Sequence, residues 1–197
     1  MAHERPILVW DMDQTLIGNP VDSKKLVFND AALTILKRAL NQDSINFLLT
    51  NNPADSYINM FTIALAKRLN VNSVFNGLMT ATDSERTLDK QGVPVKQLAD
   101  IQTLMRRADL PFSDETLGSR VYFFDDVPNH LLLKELPEGH YITITPAFYN
   151  VPSTPDETNY SIIRKVLGMS GGSKKKRQKW SRKSRLSRKS TRSTQKN

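Results

Sequence analysis

The chain has 197 residues, 39% of them apolar, and carries 28 Lys and Arg against 20 Asp and Glu for a formal charge of +8. That length and apolar share suit one globular domain and exclude a collagen, a disulfide scaffold and a long coiled coil. The absence of cysteine removes disulfides, thiolate metal sites and cysteine nucleophiles together, so any chemistry falls to carboxylates, hydroxyls, lysines and the three histidines His3, His130 and His140.

The net charge is unevenly distributed. From Gly171 to Asn197 there are twelve basic residues and no acid, so the body holds 28 − 12 = 16 basic against 20 acidic groups and stands at −4. Gly171-Gly172-Ser173 reads as a hinge, and the Lys, Arg, Ser and Thr run beyond it offers only Trp180 and Leu186 as sizeable apolar groups, too few to offset ordering entropy. The sequence thus divides into a domain over residues 1–169 and a basic tail over 170–197 that is expected to be disordered. No stretch approaches the ~18 uninterrupted apolar residues of a membrane span, and the N-terminus lacks a signal-peptide apolar core. An intracellular protein with no membrane partner is expected.

In chain order, Pro6-Ile7-Leu8-Val9-Trp10 is a continuous apolar run that reads as a strand buried on both faces. Asn29 or Asp30 can cap a helix carrying Ala32, Leu33, Ile35, Leu36, Ala39 and Leu40 at helical spacing. Ile45 to Leu49 is the second strand. After Thr50-Asn51-Asn52, Pro53 suits a first helical turn, and Ile58, Phe61, Leu65 and Leu69 continue an apolar stripe. Ser73 to Met79 is expected as a third strand, followed by a polar stretch over 80–92 and a helix beginning near Pro94. Arg120 to Phe124 is the clearest strand, a short helix covers Leu131 to Leu136, and Tyr141 to Thr145 is the fifth strand. Thr154-Pro155-Asp156-Glu157 has capping-box spacing and predicts a final helix from there through Leu167. Strands alternating with helices predict an α/β fold, a Rossmann-like parallel sheet of about five strands covered by helices on both faces.

In such sheets ligands lie beyond the carboxyl ends of the strands. Asp11-Met12-Asp13-Gln14-Thr15 follows the first strand, Thr50-Asn51-Asn52 the second and Asp125-Asp126 the fourth, so four carboxylates and a hydroxyl are expected at one end of the sheet. Like charges this close are costly without a cation. Carboxylate oxygens with water and substrate phosphate form the shell that Mg²⁺ prefers, which makes Mg²⁺ the expected cofactor.

Asp11-x-Asp13-x-Thr15-Leu16 after a buried strand, Thr50 after the next, a lysine at a helix start and an acidic pair after a later strand together resemble the four motifs of the haloacid dehalogenase superfamily. Val95-Lys96-Gln97-Leu98 and Phe124-Asp125-Asp126-Val127-Pro128 are most similar to its NLI-interacting-factor-like branch, the phosphatases of the RNA polymerase II carboxy-terminal domain. The segment between Asn70 and Val95 departs from that branch, since it does not match the insert with which those enzymes grip their peptide.

The resemblance implies a role for each matching residue. Asp11 is the expected nucleophile, forming an aspartyl-phosphate. Asp13 is the expected general acid and base, with its backbone carbonyl on the metal, and Thr15 orients the turn. Thr50, with Asn51 beside it, is expected to hydrogen-bond the phosphoryl oxygens, and Lys96 to neutralise charge on the nucleophile, with Lys90 as a second candidate for the lysine. Asp125 and Asp126 are expected to hold Mg²⁺ directly or through water. The acidic pair favours Asp126 as the direct ligand, whereas the spacing from Asp125 to Asn129 favours Asp125.

Between Thr15 and Thr50, and again between Asn52 and Lys96, there is no room for a large cap domain. An open site suits a phosphate displayed on a macromolecule, a phosphoprotein first and a polynucleotide end second. A catalytically inactive nucleic-acid binder of the same fold is the reading from another class. The tail over 174–197 is a candidate attachment to nucleic acid or to an acidic partner, or an import address, and its cations predict salt-sensitive phosphate binding. Cytoplasmic, nuclear and, by similarity of its layout to proteins of large DNA viruses, virus-factory locations are all compatible with these features.

Overall fold

The computed structural model describes residues 5–18, 26–149 and 156–169. The elements run β1 (Ile7–Trp10), α1 (Asp30–Leu40), β2 (Ile45–Leu49), α2 (Asp55–Leu69), β3 (Gly77–Met79), α3 (Leu98–Arg107), α4 (Asp114–Arg120), β4 (Val121–Asp125), α5 (Leu132–Glu135), β5 (Tyr141–Thr143) and α6 (Ser161–Val166). The strands form one five-stranded sheet in the order β3-β2-β1-β4-β5. Every pairing is parallel, consistent with a Rossmann-like fold.

Unbroken apolar strands follow from burial on both faces. Leu8 and Trp10 of β1, Leu48 of β2 and Tyr122 and Phe124 of β4 point to one side, where they meet Ile35 and Leu36 of α1, Phe61 and Leu65 of α2 and Ile163 of α6. Ile7 and Val9, Phe47 and Phe123 point to the other, against Ile101 and Leu104 of α3, Leu117 of α4 and Leu132 of α5. A strand with helices on both sides has no face for polar residues, so a four-residue segment such as Ile7–Trp10 is apolar throughout. Trp10 also lies flat on Phe124 of the neighbouring strand, ring centroids 3.8 Å apart and planes within 8°.

Several boundaries differ from those expected. The third strand is confined to Gly77–Met79, and the fifth to Tyr141–Thr143. Arg120 closes α4, a helix that the sequence pattern does not announce. The helix expected near Pro94 starts only at Leu98, because Leu88 and Pro94 form a backbone bridge and Val95 N–H donates to Thr87 O at 3.0 Å. Gln97 and Asp100 then supply the capping box, in which each side chain takes up a backbone N–H of the other's neighbourhood. The last helix begins at Ser161, and Asp156 to Tyr160 are not helical; Thr154 and Pro155 of the expected capping box lie outside the described residues, as does the tail over 170–197. Among the described residues no helix is long and apolar enough to cross a membrane.

Candidate active site

The parallel register brings the candidate residues to one edge. Trp10 is paired with Leu48 on one side and with Phe124 on the other, so Asp11, one position on, is level with Leu49 and Asp125. Asp11 N–H donates to Phe124 O at 2.9 Å, and Thr50 N–H to Met79 O at 3.1 Å, carrying the ladder one step past the strands. A cavity of about 460 Å³ opens there, with Asp11, Asp13, Thr50, Lys96, Asp125 and Asp126 among its lining residues. Asn51 and Asn129 also line it.

At its floor Lys96 Nζ lies 2.7 Å from Asp11 Oδ1 and 2.9 Å from Asp125 Oδ2, all three side chains being nearly inaccessible. Carboxylate oxygens of Asp11, Asp125 and Asp126 fall within 4.8 Å of one another. Three carboxylates around one ammonium leave an excess of negative charge. Burial lifts Asp11 to a pKa of about 7; Lys96 pulls against this rise, while Asp125 and Asp126 add to it. Asp126 is raised to about 6, by burial first and then by Asp125. Burial also works against the charge on Lys96, yet its two carboxylate partners outweigh it and hold its pKa above the ordinary value. An oxygen-only donor set of this density fits a hard divalent cation.

The two members of the acidic pair differ in their engagements. Asp125 Oδ2 is taken by Lys96 and its Oδ1 accepts the Val127 N–H at 3.2 Å, whereas among the described residues no salt bridge holds Asp126. The Asp13 carboxylate stands outside the group of three; the metal contact expected of this residue is through its backbone carbonyl. Its Oδ2 instead accepts a hydrogen bond from Asn52 Nδ2 at 2.9 Å. Lys90 is exposed on a turn and does not line the cavity, so of the two lysines it is Lys96 that meets the requirement.

Thr15 is fully buried and does not line the cavity; its Oγ1 has no hydrogen-bond partner among the described residues. Its carbonyl accepts from Asn29 Nδ2 at 3.0 Å, and Asn29 Oδ1 in turn caps α1 through the N–H groups of Ala31 and Ala32. The loop bearing Asp11 and Asp13 is thereby tied to the helix that follows it. Gln14 at its tip has φ 58°, a left-handed conformation uncommon for a side chain other than Asn or Asp. Asn129 Oδ1 accepts from Leu131 and Leu132 N–H and so starts α5. Tyr141 OH donates to Val127 O at 2.7 Å and accepts from Asn129 N–H at 3.0 Å, pinning the turn that follows Asp126.

Two groups that sequence reasoning missed support this floor. Arg86 Nη1 lies 3.0 Å from Asp100 Oδ2 with both side chains fully buried, and Arg86 Nη2 donates to Asn51 Oδ1 at 2.5 Å. Asp100 also accepts the N–H groups of Thr87 and Gln97, both at 2.9 Å. It therefore fixes the residue that follows Lys96 while its arginine partner fixes the one that follows Thr50. The other missed residue is Asn52, whose signal was its place two positions past Thr50.

No protein-family model matches the chain, and no curated protein matches it. Among solved structures, an uncharacterized protein from Listeria monocytogenes serotype 4b is similar at 12% identity and a TM-score of 0.40, over 61% of this chain and 67% of that one.

Proposed function

We propose that the protein is a phosphatase of the haloacid dehalogenase type that uses Mg²⁺ and removes phosphate from a macromolecular phosphomonoester, a phosphorylated Ser or Thr of a protein in the first instance. The observation that carries this reading is Lys96 set between Asp11 and Asp125 with Asp126 beside them. Asp11 and Asp126 would hold the cation, with Asp125 alongside, since both oxygens of Asp125 are already engaged. When bound, Mg²⁺ supplies positive charge against the phosphate oxygens.

The chain's own groups divide the reaction in two. A carboxylate oxygen of Asp11 attacks phosphorus, the bond to the leaving oxygen breaks, and that oxygen takes a proton from Asp13. Water then attacks the aspartyl-phosphate, gives its proton to Asp13, and inorganic phosphate leaves with Asp11 restored. Thr50 at the cavity wall and Lys96 at its floor offer donors to the phosphoryl oxygens, a fixed arrangement of the kind that stabilises charge developing in a transition state. The strand-end loops present the cavity beside an exposed Val127, which suits a phosphate carried on a larger molecule.

The twelve cations beyond Gly171 favour, as a second reading, a polynucleotide end held by the tail. Hydrolysis of p-nitrophenyl phosphate with Mg²⁺ should be lost in Asp11→Asn. Unchanged turnover in that variant would reject Asp11 as nucleophile. Phosphopeptides against 3′- and 5′-phosphorylated oligonucleotides, with and without residues 171–197, separate the two substrates.

A further inference from the structure

The proton relay of the proposed reaction falls on Asp13, a half-buried carboxylate without a salt bridge among the described residues. A general acid is effective only when its proton is aimed at the departing oxygen. The contacts of Asn52 bear on that aim. Its Oδ1 accepts the Ala54 N–H at 2.8 Å. A backbone N–H can only donate, so the carbonyl end of the amide must face Ala54 and the NH₂ end must face Asp13. Asp13 Oδ2 accepts that NH₂ at 2.9 Å. The Asn52 backbone is held as well, its N–H donating to Thr50 Oγ1 at 3.2 Å and its carbonyl accepting from Ala81 N–H at 3.4 Å.

We propose that Asn52 is a positioning residue for proton transfer: by occupying Oδ2 of Asp13 with a donor, it reserves Oδ1 to carry the transferable proton and holds that oxygen toward the cavity. The inference rests on the phosphatase reading above and deepens it. Asn52 offers only hydrogens to Asp13, so Oδ2 is held as an acceptor and Oδ1 is the oxygen left to give and take the proton of the reaction. In the first step this proton passes from Oδ1 to the leaving oxygen as the bond from phosphorus to that oxygen breaks. In the second the attacking water returns a proton to Oδ1. The same loop thus delivers the phosphoryl-binding hydroxyl of Thr50 and, two residues later, the group that orients the acid.

The test compares phenyl phosphate with p-nitrophenyl phosphate in the presence of Mg²⁺, for the full chain, Asn52→Ala and Asn52→Asp. The substrates are alike in shape, but phenolate is the poorer leaving group and depends more on a proton in the transition state. The loss of kcat/KM on phenyl phosphate should exceed that on p-nitrophenyl phosphate by about fivefold or more in both variants. Asn52→Asp keeps an acceptor for the Ala54 N–H but replaces the donor with a second carboxylate facing Asp13, whereas Asn52→Ala removes the contact without adding charge, so a shift shared by both variants reports the contact to Asp13. The ratio of the two losses does not depend on how much of a variant is folded. Equal losses on both substrates, or full retention of the wild-type ratio in Asn52→Asp, would overturn the proposal. Wild-type protein inert toward both substrates would overturn the phosphatase reading and this inference with it, a result distinct from equal losses.

Discussion

Arg86 and Asp100 form an ion pair at 3.0 Å that is wholly out of contact with solvent, and each also holds one of the segments that build the cavity. Asp100→Ala would leave a buried guanidinium without its counter-charge and release the N–H groups of Thr87 and Gln97. Breaking one side of a buried pair costs about 3–5 kcal/mol. Urea denaturation of the variant should show a loss of that order; a loss below about 1 kcal/mol would mean the pair is not the clamp described.

The two lysines considered for the site should separate cleanly. Lys96→Met removes the ammonium shared by Asp11 and Asp125, and turnover of p-nitrophenyl phosphate is expected to fall by about 10²–10³, as for other preorganised charge-stabilising groups. Lys90 is exposed and is not among the residues lining the cavity, so Lys90→Met should stay within about twofold of wild type, as surface substitutions generally do. Comparable losses in the two variants would refute the assignment.

Asn29 links the Asp11–Thr15 loop to α1 by serving both. Asn29→Ala removes an N-cap and leaves the buried Thr15 carbonyl without that donor, so a loss of about 1–3 kcal/mol is expected from thermal or urea unfolding. Turnover per folded molecule should fall too, because the loop loses its tether. A variant destabilised but fully active would show that α1 merely buttresses the loop.

Stability without metal should depend on pH in an unusual direction. Asp11 at about 7 and Asp126 at about 6 both lie above their ordinary value of 3.8. A folded-state pKa above the unfolded one gives stability that is complete below the unfolded value and lost as pH rises through the folded one. The chain in chelator should therefore become less stable between about pH 4 and about pH 7 through these two groups. Cations compete with protons for the same oxygens, so the rise in Tm caused by excess Mg²⁺ should be larger at about pH 8 than at about pH 5. Equal rises at both pH values would contradict a Mg²⁺ site built on Asp11 and Asp126.

The strands that carry the site were readable because a central parallel strand is buried on two faces, which leaves an unbroken apolar run such as Ile7–Trp10 or Val121–Phe124 as its mark in the sequence. Their carboxyl ends then located Asp11, Thr50 and Asp125 with no further information. α4 was not readable: its seven residues DETLGSR bury only Leu117, too little for a periodic pattern. Arg86 lies in a polar stretch and Asp100 in a helix further along the chain, and nothing local to either announces that the two will be buried as a pair. The start of α3 was misplaced because the bridge between Leu88 and Pro94 depends on contacts beyond the reach of local preference. Asn52 belongs with these, its role being set by where its amide points.

The placement of β1 at the centre of the sheet has a consequence for how the molecule is made. Ile7 leaves the ribosome long before one of its neighbours, Val121, which lies more than a hundred residues downstream. A strand whose partners are so distant closes late, because a long loop must be ordered before the pairing rewards it. The nascent chain must therefore keep an apolar segment waiting, with Asp11 at its end, until β4 emerges. The grouping of Asp11, Lys96 and Asp125 then forms only once β4 has been made, and a ribosome stalled before Val121 would hold a product unable to assemble it.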